Sequence, residues 1–413
     1  MVQDGGRSVP HAAPAGPKTF FQGTHRVCAP AETLARLRPS LGELGITRVA
    51  DITGLDYVGI PVAISVRPLA RGLTVQQGKG LTREAAKASA AMESVESHCA
   101  QLPRPPFLWS SVARLAPGDA VLPRHLLRRP LRRDASIPWM EGVDILRGRS
   151  VLVPEELVTT DFSVPQRPGH GRFLASSNGL AAGNTPAEAQ LHALCELIER
   201  DALTLWRHMP PERRAARRID LRTIEDEAAA ELLRRYADAR LDVAFWETTS
   251  DIGVPSFFCT VDDRAGRPPF LGRFGGGGCH PNAGVAACRA LCEAAQSRLA
   301  FIHGAREDLP PGRYALVGWH ENLERLIFDA GMQDGRAGRA PRARSFDGPS
   351  VEADLAAVAG RLETAGIGRI AVVDLTDPQV GIPCVRAVAP GLEGMDRNPA
   401  FRPGRRLGRR ECR

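Results

Sequence analysis

In Ser89-Ala-Ala-Met-Glu93-Ser-Val-Glu96, two glutamates stand three residues apart, and Glu196-Leu-Ile-Glu199-Arg200 repeats that spacing further along the chain. Side chains at this spacing lie on the same side of a helix. Two such pairs brought together by the fold would form a cluster of negative charge that needs cations to persist. Clusters of oxygen ligands suit Mg²⁺, which proteins commonly use to bind the phosphates of a nucleotide.

Both glutamate pairs border the apolar face of a predicted helix. At about 100° per residue, Glu93 and Glu96 lie along the edge of the apolar stripe of a helix over Thr82–Ala100. The second pair has the same position on a helix over Thr185–Arg207, where Thr185 and Glu188 form a capping box with proline at the first helical position. Because glutamate is a good helix former, each pair alone also fits a structural role. The repetition on two helices favours a site at a cleft wall.

Composition limits the class of protein. The chain has 413 residues, of which 43% are hydrophobic, and this length allows two or three domains with a sizeable core. It contains no run of about 18 apolar residues that would span a membrane, and the N-terminus lacks the apolar segment of a secretory signal. The nine cysteines include no CxxC pair, and Cys288 and Cys292 are predicted to lie in the core. We therefore expect a cytoplasmic protein without a membrane partner.

The formal net charge of +7 comes mainly from arginine, because Lys18, Lys79 and Lys87 are the only lysines among 54 basic residues. Arginine also dominates the tail over 402–413. Such a tail could bind nucleic acid. We interpret it instead as a frayed terminus, since only 5% of the residues are aromatic and no base-stacking motif occurs.

The remaining pattern mixes helices and strands. It predicts an α+β fold of mixed sheets and helices in one composite domain with an N-terminal subdomain. Trp139–Val158 is predicted as a hairpin that turns at Arg147-Gly148. The other predicted helices are Pro30–Leu44, Ile224–Ala239, Gly284–Ala300 and Val351–Ala365, and the other predicted strands are Val243–Trp246, Ser256–Val261, Ile370–Val373 and Val385–Val388.

Glycine-rich segments precede three of the helices. They are Gln77-Gly78-Lys79-Gly80, the segment over 177–184, and Gly275–Gly278. A glycine turn that leads into a helix can present backbone N–H groups to a phosphate. None of the three has the spacing of a P-loop or a dinucleotide-binding motif, and glycine turns are also ordinary connectors. We predict turns at all three positions.

Several motifs follow one another in a fixed order along the chain. They are Gly78-Lys-Gly80, Ser89-x3-Glu93-x2-Glu96, Asn178-Gly-Leu-Ala-x-Gly-Asn184, Glu196-Leu-Ile-Glu199-Arg200-Asp201, Gly278-Cys-His280 and Glu293-Ala-Ala-Gln296-Ser-Arg298. In this order they resemble the YcaO family over roughly Lys18 to Gly394, and such a series is more specific than any single motif. Gly23-Thr-His-Arg26, Thr47-Arg-Val-Ala-Asp51, Thr53-Gly-Leu-Asp56 and Gly59-Ile-Pro-Val62 resemble the branch associated with TfuA proteins.

The resemblance implies an ATP- and Mg²⁺-dependent enzyme that phosphorylates a backbone amide oxygen of a peptide or protein substrate. A side chain of the substrate that then attacks the carbonyl carbon gives an azoline, whereas a sulfide source gives a thioamide. The implied metal ligands are Glu93, Glu96, Glu188, Glu196 and Glu199. The implied contacts to the nucleotide are Lys18, Ser89, Asn184, Arg200, Glu293, Gln296 and Arg298, of which Arg200 and Arg298 are also the catalytic cations.

The resemblance also divides the chain. It implies an N-terminal α/β subdomain over 18–74, an ATP-binding catalytic domain over 75–395 and a basic tail over 396–413. Residues 1–17 are rich in glycine, proline and alanine, and this composition predicts a disordered segment. A homodimer is expected from the family. The chemistry needs no protein nucleophile, so we interpret Cys279-His280 as a turn at the edge of the site rather than as a nucleophile with its base.

Thioamide formation with a TfuA-type partner is the favoured reaction. The chain lacks a recognisable second domain that would mobilise sulfur or bind a leader peptide, which is the reason to expect a partner. The proline-rich tail on which azoline-forming members rely is replaced here by a basic extension. Two alternatives stay open, namely an azoline-forming cyclodehydratase and a non-catalytic nucleotide-binding adaptor.

Overall fold

The structure is a computed structural model that describes residues 16–101, 103–104, 106–263, 272–308 and 338–408. The predicted disordered segment therefore lies outside the described residues except for 16 and 17, as does the end of the tail beyond 408. The mixed α+β architecture predicted from the sequence is confirmed. None of the helices in the described ranges combines the length and apolar character that a membrane span requires.

The described elements alternate along the chain. The helices are α1 Pro30–Leu37, α2 Arg83–Gln101, α3 Pro186–Arg207, α4 Pro211–Ala215, α5 Glu227–Asp238, α6 Ala283–His303, α7 Val351–Thr364 and α8 Arg405–Gly408. The strands are β1 Arg48–Asp51, β2 Val62–Val66, β3 Val75–Lys79, β4 Leu108–Ser111, β5 Ser136–Asp144, β6 Arg149–Pro154, β7 Leu180–Ala182, β8 Asp242–Glu247, β9 Ser256–Asp262, β10 Arg273–Cys279, β11 Ala371–Asp374 and β12 Cys384–Val388. The predicted helices and strands match these within a few residues, apart from a shorter α1.

Two antiparallel sheets have the same relation to the helix that follows them. One has the strand order β1-β2-β3 with α2 packed on it, and the other has the order β10-β9-β8 with α6 packed on it. The first sheet joins strands on both sides of the subdomain boundary expected after residue 74. A larger sheet has the order β4-β5-β11-β12-β7, with β6 paired to β5 in the predicted hairpin, and α3 packs against β12 and α7.

Gly78 before α2 and Gly275–Gly278 before α6 lie within strands, so the prediction of turns at these glycines is wrong. Gly78 belongs to β3, and a Cβ at this position would come within 2.0 Å of the backbone nitrogen of Ala90 in α2. Gly276 and Gly278 belong to β10 and face the backbone of α6 in the same way. Glycine is required because each strand lies directly against a helix backbone, and this contact cannot be read from the local sequence.

The basic tail is docked through residue 408, contrary to the frayed terminus predicted. Nε of Arg406 donates to Oδ1 of the buried Asp201 in α3 at 2.9 Å. The buried carboxylate of Glu393 accepts hydrogen bonds from the backbone N–H groups of Gly404 and Leu407 at 2.9 and 3.1 Å. Buried carboxylates need hydrogen-bond partners, and these two acids find them in the tail. The tail is therefore held against the protein, although its arginine content alone indicated a solvated segment.

Candidate active site

The helices α2, α3 and α6 border a cavity of about 1600 Å³. Residues of the predicted turn segments also line it, because the strands β3, β7 and β10 end beside these helices. Six glutamates contribute to its wall, namely Glu93, Glu96, Glu188, Glu196, Glu199 and Glu293. The fold thus brings together the carboxylates that the sequence distributes over three helices.

The pair on α2 is held in an environment that opposes its ionisation. Glu93 accepts from the backbone N–H of Gln77 at 3.4 Å, and Glu96 accepts from that of Ala182 at 2.8 Å. Desolvation inside the cavity raises the pKa of Glu93 to about 7, although the charge of Lys79 opposes this shift. Desolvation together with the charge of Glu93 raises the pKa of Glu96 well above its ordinary value. A cation beside these carboxylates would stabilise their ionised form.

The pair on α3 shares one arginine. Nη1 of Arg200 lies 3.6 Å from Oε1 of Glu199, and Nη2 lies 3.7 Å from Oε1 of Glu196. Desolvation raises the pKa of Glu199 to about 6 against the opposing charge of Arg200. The carboxylate of Glu199 lies over Gly277 of β10, where a Cβ would come within 2.9 Å of its Oε1. The glycine at this position leaves room for an acid of the site.

Lys79 lines the cavity and supplies a positive charge there, although it was not among the predicted site residues. Its Nζ donates to Oε2 of Glu293 at 2.8 Å and to Oε1 of Gln296 at 3.0 Å. Although desolvation opposes ionisation, the charges of Lys79 and Arg200 lower the pKa of Glu293 to about 2. Glu293 is therefore ionised and paired with Lys79, whereas Glu93 on α2, with a pKa of about 7, is partly protonated near neutral pH.

Glu188 differs from the other glutamates because N–H groups already surround its carboxylate. Oε1 accepts from the backbone N–H of Val27 at 2.7 Å, and Oε2 accepts from the backbone and side-chain nitrogens of Asn184 at 2.8 and 3.0 Å. The predicted capping box is half formed, since Thr185 caps the N–H of Glu188 but the glutamate bonds to Asn184 instead of Thr185. This carboxylate joins the N-terminal segment to the start of α3.

Of the predicted nucleotide contacts, Ser89, Asn184, Arg200, Glu293 and Gln296 line the cavity. Lys18 and Arg298 do not line it, and each lies in a buried ion pair. Nζ of Lys18 is 2.6 Å from Oδ2 of Asp354 and donates to the carbonyl of Gly348 at 2.8 Å. Nε of Arg298 donates to Oδ2 of Asp56 at 2.8 Å. Their partners position the N-terminal segment and α6, so the structure gives no support to direct phosphate contacts by these two residues.

Two arginines of the cavity were not among the predicted site residues. Arg26 lines it from the N-terminal segment, and Arg289 lines it from α6. Arg289 Nη2 is 3.2 Å from Nε2 of His192, which therefore accepts the hydrogen bond. Desolvation and the charge of Arg289 lower the pKa of His192 well below its ordinary value, so the imidazole is neutral. Arg26 belongs to the motif Gly23-Thr-His-Arg26, which resembles the branch associated with TfuA proteins. The motif by itself does not indicate that Arg26 lines the cavity.

Cys279 and His280 are not arranged as a nucleophile and its base. Cys279 is buried at the end of β10, and desolvation raises the pKa of its thiol well above the ordinary value. Nδ1 of His280 accepts from the backbone N–H of Asn282 at 2.9 Å. His280 also lies near His25 and Asp354, a grouping that could hold a metal ion, but the ammonium of Lys18 already neutralises Asp354. We assign no metal to this grouping.

Comparison with known proteins decides the family. The family model of YcaO cyclodehydratases, described as ATP- and Mg²⁺-binding, matches residues 77–393. The chain belongs to the YcaO family. This YcaO protein is 38% identical over 383 residues to a protein encoded in the region 3′ of tfuA in Rhizobium leguminosarum bv. trifolii, with 89% of this chain and 88% of the relative covered.

Solved structures show the same fold. The YcaO protein of Methanopyrus kandleri, bound with AMPPCP and Mg²⁺, superimposes with a TM-score of 0.72 and 26% identity, covering 93% of this chain and 97% of the other. A heterocyclase in complex with substrate and cofactor gives a TM-score of 0.76 at 20% identity, covering 95% of this chain. Our chain spans 56% of that heterocyclase, so the likeness concerns the shared fold alone.

The donor set of the cavity fits the Mg²⁺ and ATP that the family binds. Mg²⁺ prefers oxygen ligands, and five carboxylates of this YcaO protein, on α2 and α3, face the cavity without the short ammonium contact that neutralises Glu293. One of the five, that of Glu188, already accepts three N–H hydrogen bonds. Lys79, Arg200, Arg26 and Arg289 supply positive charge around the same space. A site for Mg²⁺ and ATP requires carboxylates that bind the metal ions and cations that bind the phosphates, and this cavity has both.

Proposed function

We propose that this YcaO protein uses ATP and Mg²⁺ to activate a backbone amide of a peptide or protein substrate, and that it forms a thioamide together with a TfuA-type partner. The observation that carries the proposal is the convergence of glutamates from α2, α3 and α6 on one cavity that arginine and lysine also line. Such an arrangement of acids and cations serves phosphoryl transfer.

In this proposal the acids of α2 and α3 hold the metal. Glu93, Glu96, Glu196 and Glu199 are the ligands, while Glu188 positions Val27 and Asn184 through the hydrogen bonds described above. When bound, Mg²⁺ neutralises the negative charge of the nucleotide phosphates. The charge of Arg200, held between Glu196 and Glu199, would stabilise the negative charge that develops during the transfer.

Other polar residues of the cavity wall position Glu293 and Gln296 or contact the nucleotide. Lys79 fixes Glu293 and Gln296, while Ser89 and Asn184 offer polar groups at the cavity wall. An amide oxygen is a poor leaving group until it is phosphorylated, and the nucleophile then comes from the substrate or a sulfur source. The buried cysteines of the described ranges are thus not needed as nucleophiles.

The relative from the tfuA region supports a TfuA-type partner, because it covers nearly the whole of this chain at 38% identity. The description of the family as cyclodehydratases favours a second candidate, the formation of an azoline from a cysteine, serine or threonine of the substrate. Homodimerisation stays a prediction from the family resemblance.

Mass spectrometry distinguishes the two candidates. The full chain is incubated with ATP, Mg²⁺, a sulfide source and a TfuA-type protein. The candidate substrates are peptides encoded near the gene for this chain or near the gene for the TfuA-type protein. Exchange of an oxygen for a sulfur atom supports thioamide formation, and loss of water supports the azoline. If no peptide changes mass and no ATP is consumed, although the chain is folded and the partner is present, the proposal is wrong.

A further inference from the structure

Three exposed apolar side chains lie on the loop and the turn that contribute residues to the cavity wall, and we call them the apolar lip. Phe162 and Val164 lie on the loop between β6 and β7, and Leu69 lies on the turn between β2 and β3. Their exposed fractions are 54%, 90% and 96%, respectively. Phe162 itself lines the cavity, as do Gly72 and Leu73 of the turn that carries Leu69. Large apolar side chains this exposed beside a cavity are typical of a binding surface.

The loop that carries Phe162 is anchored by two buried acids. The carboxylate of Glu156 accepts hydrogen bonds from the backbone N–H groups of Gly171, Arg172 and Phe173. The neighbouring Glu155 accepts from Nη1 of Arg167 at 2.9 Å and pairs with His170. Because three N–H groups, one guanidinium and one imidazole hold the distal part of the loop, its conformation is fixed by buried polar contacts.

A third acid joins the loop to the turn. Oδ1 of Asp161 accepts from the backbone N–H and the hydroxyl of Ser163 at 3.1 and 2.6 Å. Oδ2 of Asp161 lies 3.4 Å from Nη1 of Arg71 and 3.5 Å from Nε of Arg167. The ion pair with Arg71 links the segment of Phe162 to the turn of Leu69. The lip is thus a preorganised surface, and preorganisation reduces the entropy lost on binding.

The size of the cavity indicates what passes the lip. Its volume of about 1600 Å³ exceeds the roughly 300–1,000 Å³ that is usual for a small-molecule site. The glutamates occupy the wall formed by α2, α3 and α6, whereas Phe162 lines the cavity from the loop between β6 and β7. A nucleotide on the charged wall leaves room for a polypeptide that enters beside Phe162. Residues next to the reacting amide would then follow one another along the lip at about 3.3 Å per residue.

We propose that the apolar lip binds apolar side chains of the polypeptide substrate next to the amide that enters the cavity. This inference rests on the proposed function and adds a preference for apolar residues beside the modified position. Phe162 and Val164 select by contact with the substrate, while Glu155, Glu156 and Asp161 act through the loop as positioning residues.

Labelled model peptides test the inference. Two fluorescein-labelled decapeptides of equal charge, one with Leu-Phe-Val and one with Ser-Asn-Thr at its centre, are titrated with the full chain in AMPPCP and Mg²⁺. We expect the wild type to bind the apolar peptide roughly tenfold more tightly, as burial of one or two apolar side chains gives. The triple variant Leu69→Ser/Phe162→Ser/Val164→Ser is expected to bind both peptides equally.

The control variant is Val143→Ser, which removes an exposed apolar side chain of β5 outside the lip and should keep the preference. A wild type that binds both peptides equally or binds neither overturns the inference. So does a triple variant with the preference intact, which is the result expected if the lip binds a partner protein instead. Calorimetry of AMPPCP and Mg²⁺ on the same preparations separates the failures, because lost nucleotide binding in the wild type contradicts the proposed function itself.

Discussion

Lys79 at the end of β3 donates to Glu293 of α6 at 2.8 Å, and this contact divides the acids of the cavity into two kinds. Glu293 has a neighbouring ammonium group, and the pKa of its carboxyl falls to about 2. Desolvation raises the pKa of the Glu93 carboxyl to about 7, because the charge of Lys79 offsets it only in part. The first acid is neutralised by the protein, while the second requires a cation from outside.

Removal of Lys79 should abolish this division. In Lys79→Met, desolvation would act on Glu293 without its main counter-charge, so we expect the pKa of Glu293 to rise above its value of about 2. Carbon-13 NMR of labelled glutamate carboxyls across a pH titration measures the shift, with Glu293→Gln used to assign the resonance. An unchanged pKa of Glu293 in Lys79→Met would contradict the assignment of the ion pair.

Binding of Mg²⁺ should release protons. The pKa values of about 7 for Glu93 and about 6 for Glu199 mean that both carboxyls are partly protonated near pH 6 and mostly ionised at pH 8. Since the metal binds the ionised form, its affinity should rise with pH over this range, and proton release should be larger at pH 6 than at pH 8. Calorimetry in two buffers of different ionisation enthalpy gives the number of protons, and equal release at both pH values would count against these ligands.

Two adjacent glycines of β10 should respond differently to alanine. A Cβ at Gly276 would lie 2.3 Å from the carbonyl oxygen of Ala290 and the nitrogen of Ala294, so Gly276→Ala should lower the melting temperature strongly. A Cβ at Gly277 meets the carboxylate of Glu199 instead, so Gly277→Ala should keep most of the stability and lose Mg²⁺ affinity. Thermal unfolding and metal titration of both variants check this contrast, which fails if the two variants lose stability equally.

Arg298 should contribute to stability rather than to phosphate binding. Its removal leaves the buried carboxylate of Asp56 without its cationic partner, which typically costs about 3–5 kcal/mol in the free energy of unfolding. We therefore expect Arg298→Met to be strongly destabilised, and Arg298→Met/Asp56→Asn to recover part of the loss. Denaturant unfolding measures both. A variant Arg298→Met with native stability but weakened nucleotide binding would show that the arginine contacts phosphate after all.

The helices of the site could be predicted because their apolar periodicity is strong, and the glutamate pairs followed from it. The helical phase of α6 also indicates which of its arginines faces the cavity. Arg289 precedes Glu293 by four residues and shares its face, whereas Arg298 lies five residues beyond and about 140° away. Helical geometry alone would have favoured Arg289 for the cavity, where the structure has it. The family motif drew attention to Arg298 instead.

Other features depend on contacts between distant segments and could not be predicted. The hydroxyl of Ser94 in α2 is buried and donates to that of Ser65 in β2 at 2.7 Å, a contact that depends on how α2 packs on the sheet. The docking of Arg406 on Asp201 joins residues more than 200 positions apart. The glycines of β3 and β10 signal a close approach of backbones only once the packing of strand on helix is known.

The most direct test of the account is calorimetry of Mg²⁺-dependent ATP binding to the full chain. We predict a micromolar dissociation constant, about −8 kcal/mol, for the wild type and for the control Glu84→Gln, which changes an exposed glutamate on α2. Binding should be lost in Glu93→Gln/Glu199→Gln, because these carboxylates come from the two helices that together build the metal site. Undiminished binding in the double variant, or no binding by the folded wild type with or without a TfuA-type partner, would contradict the account.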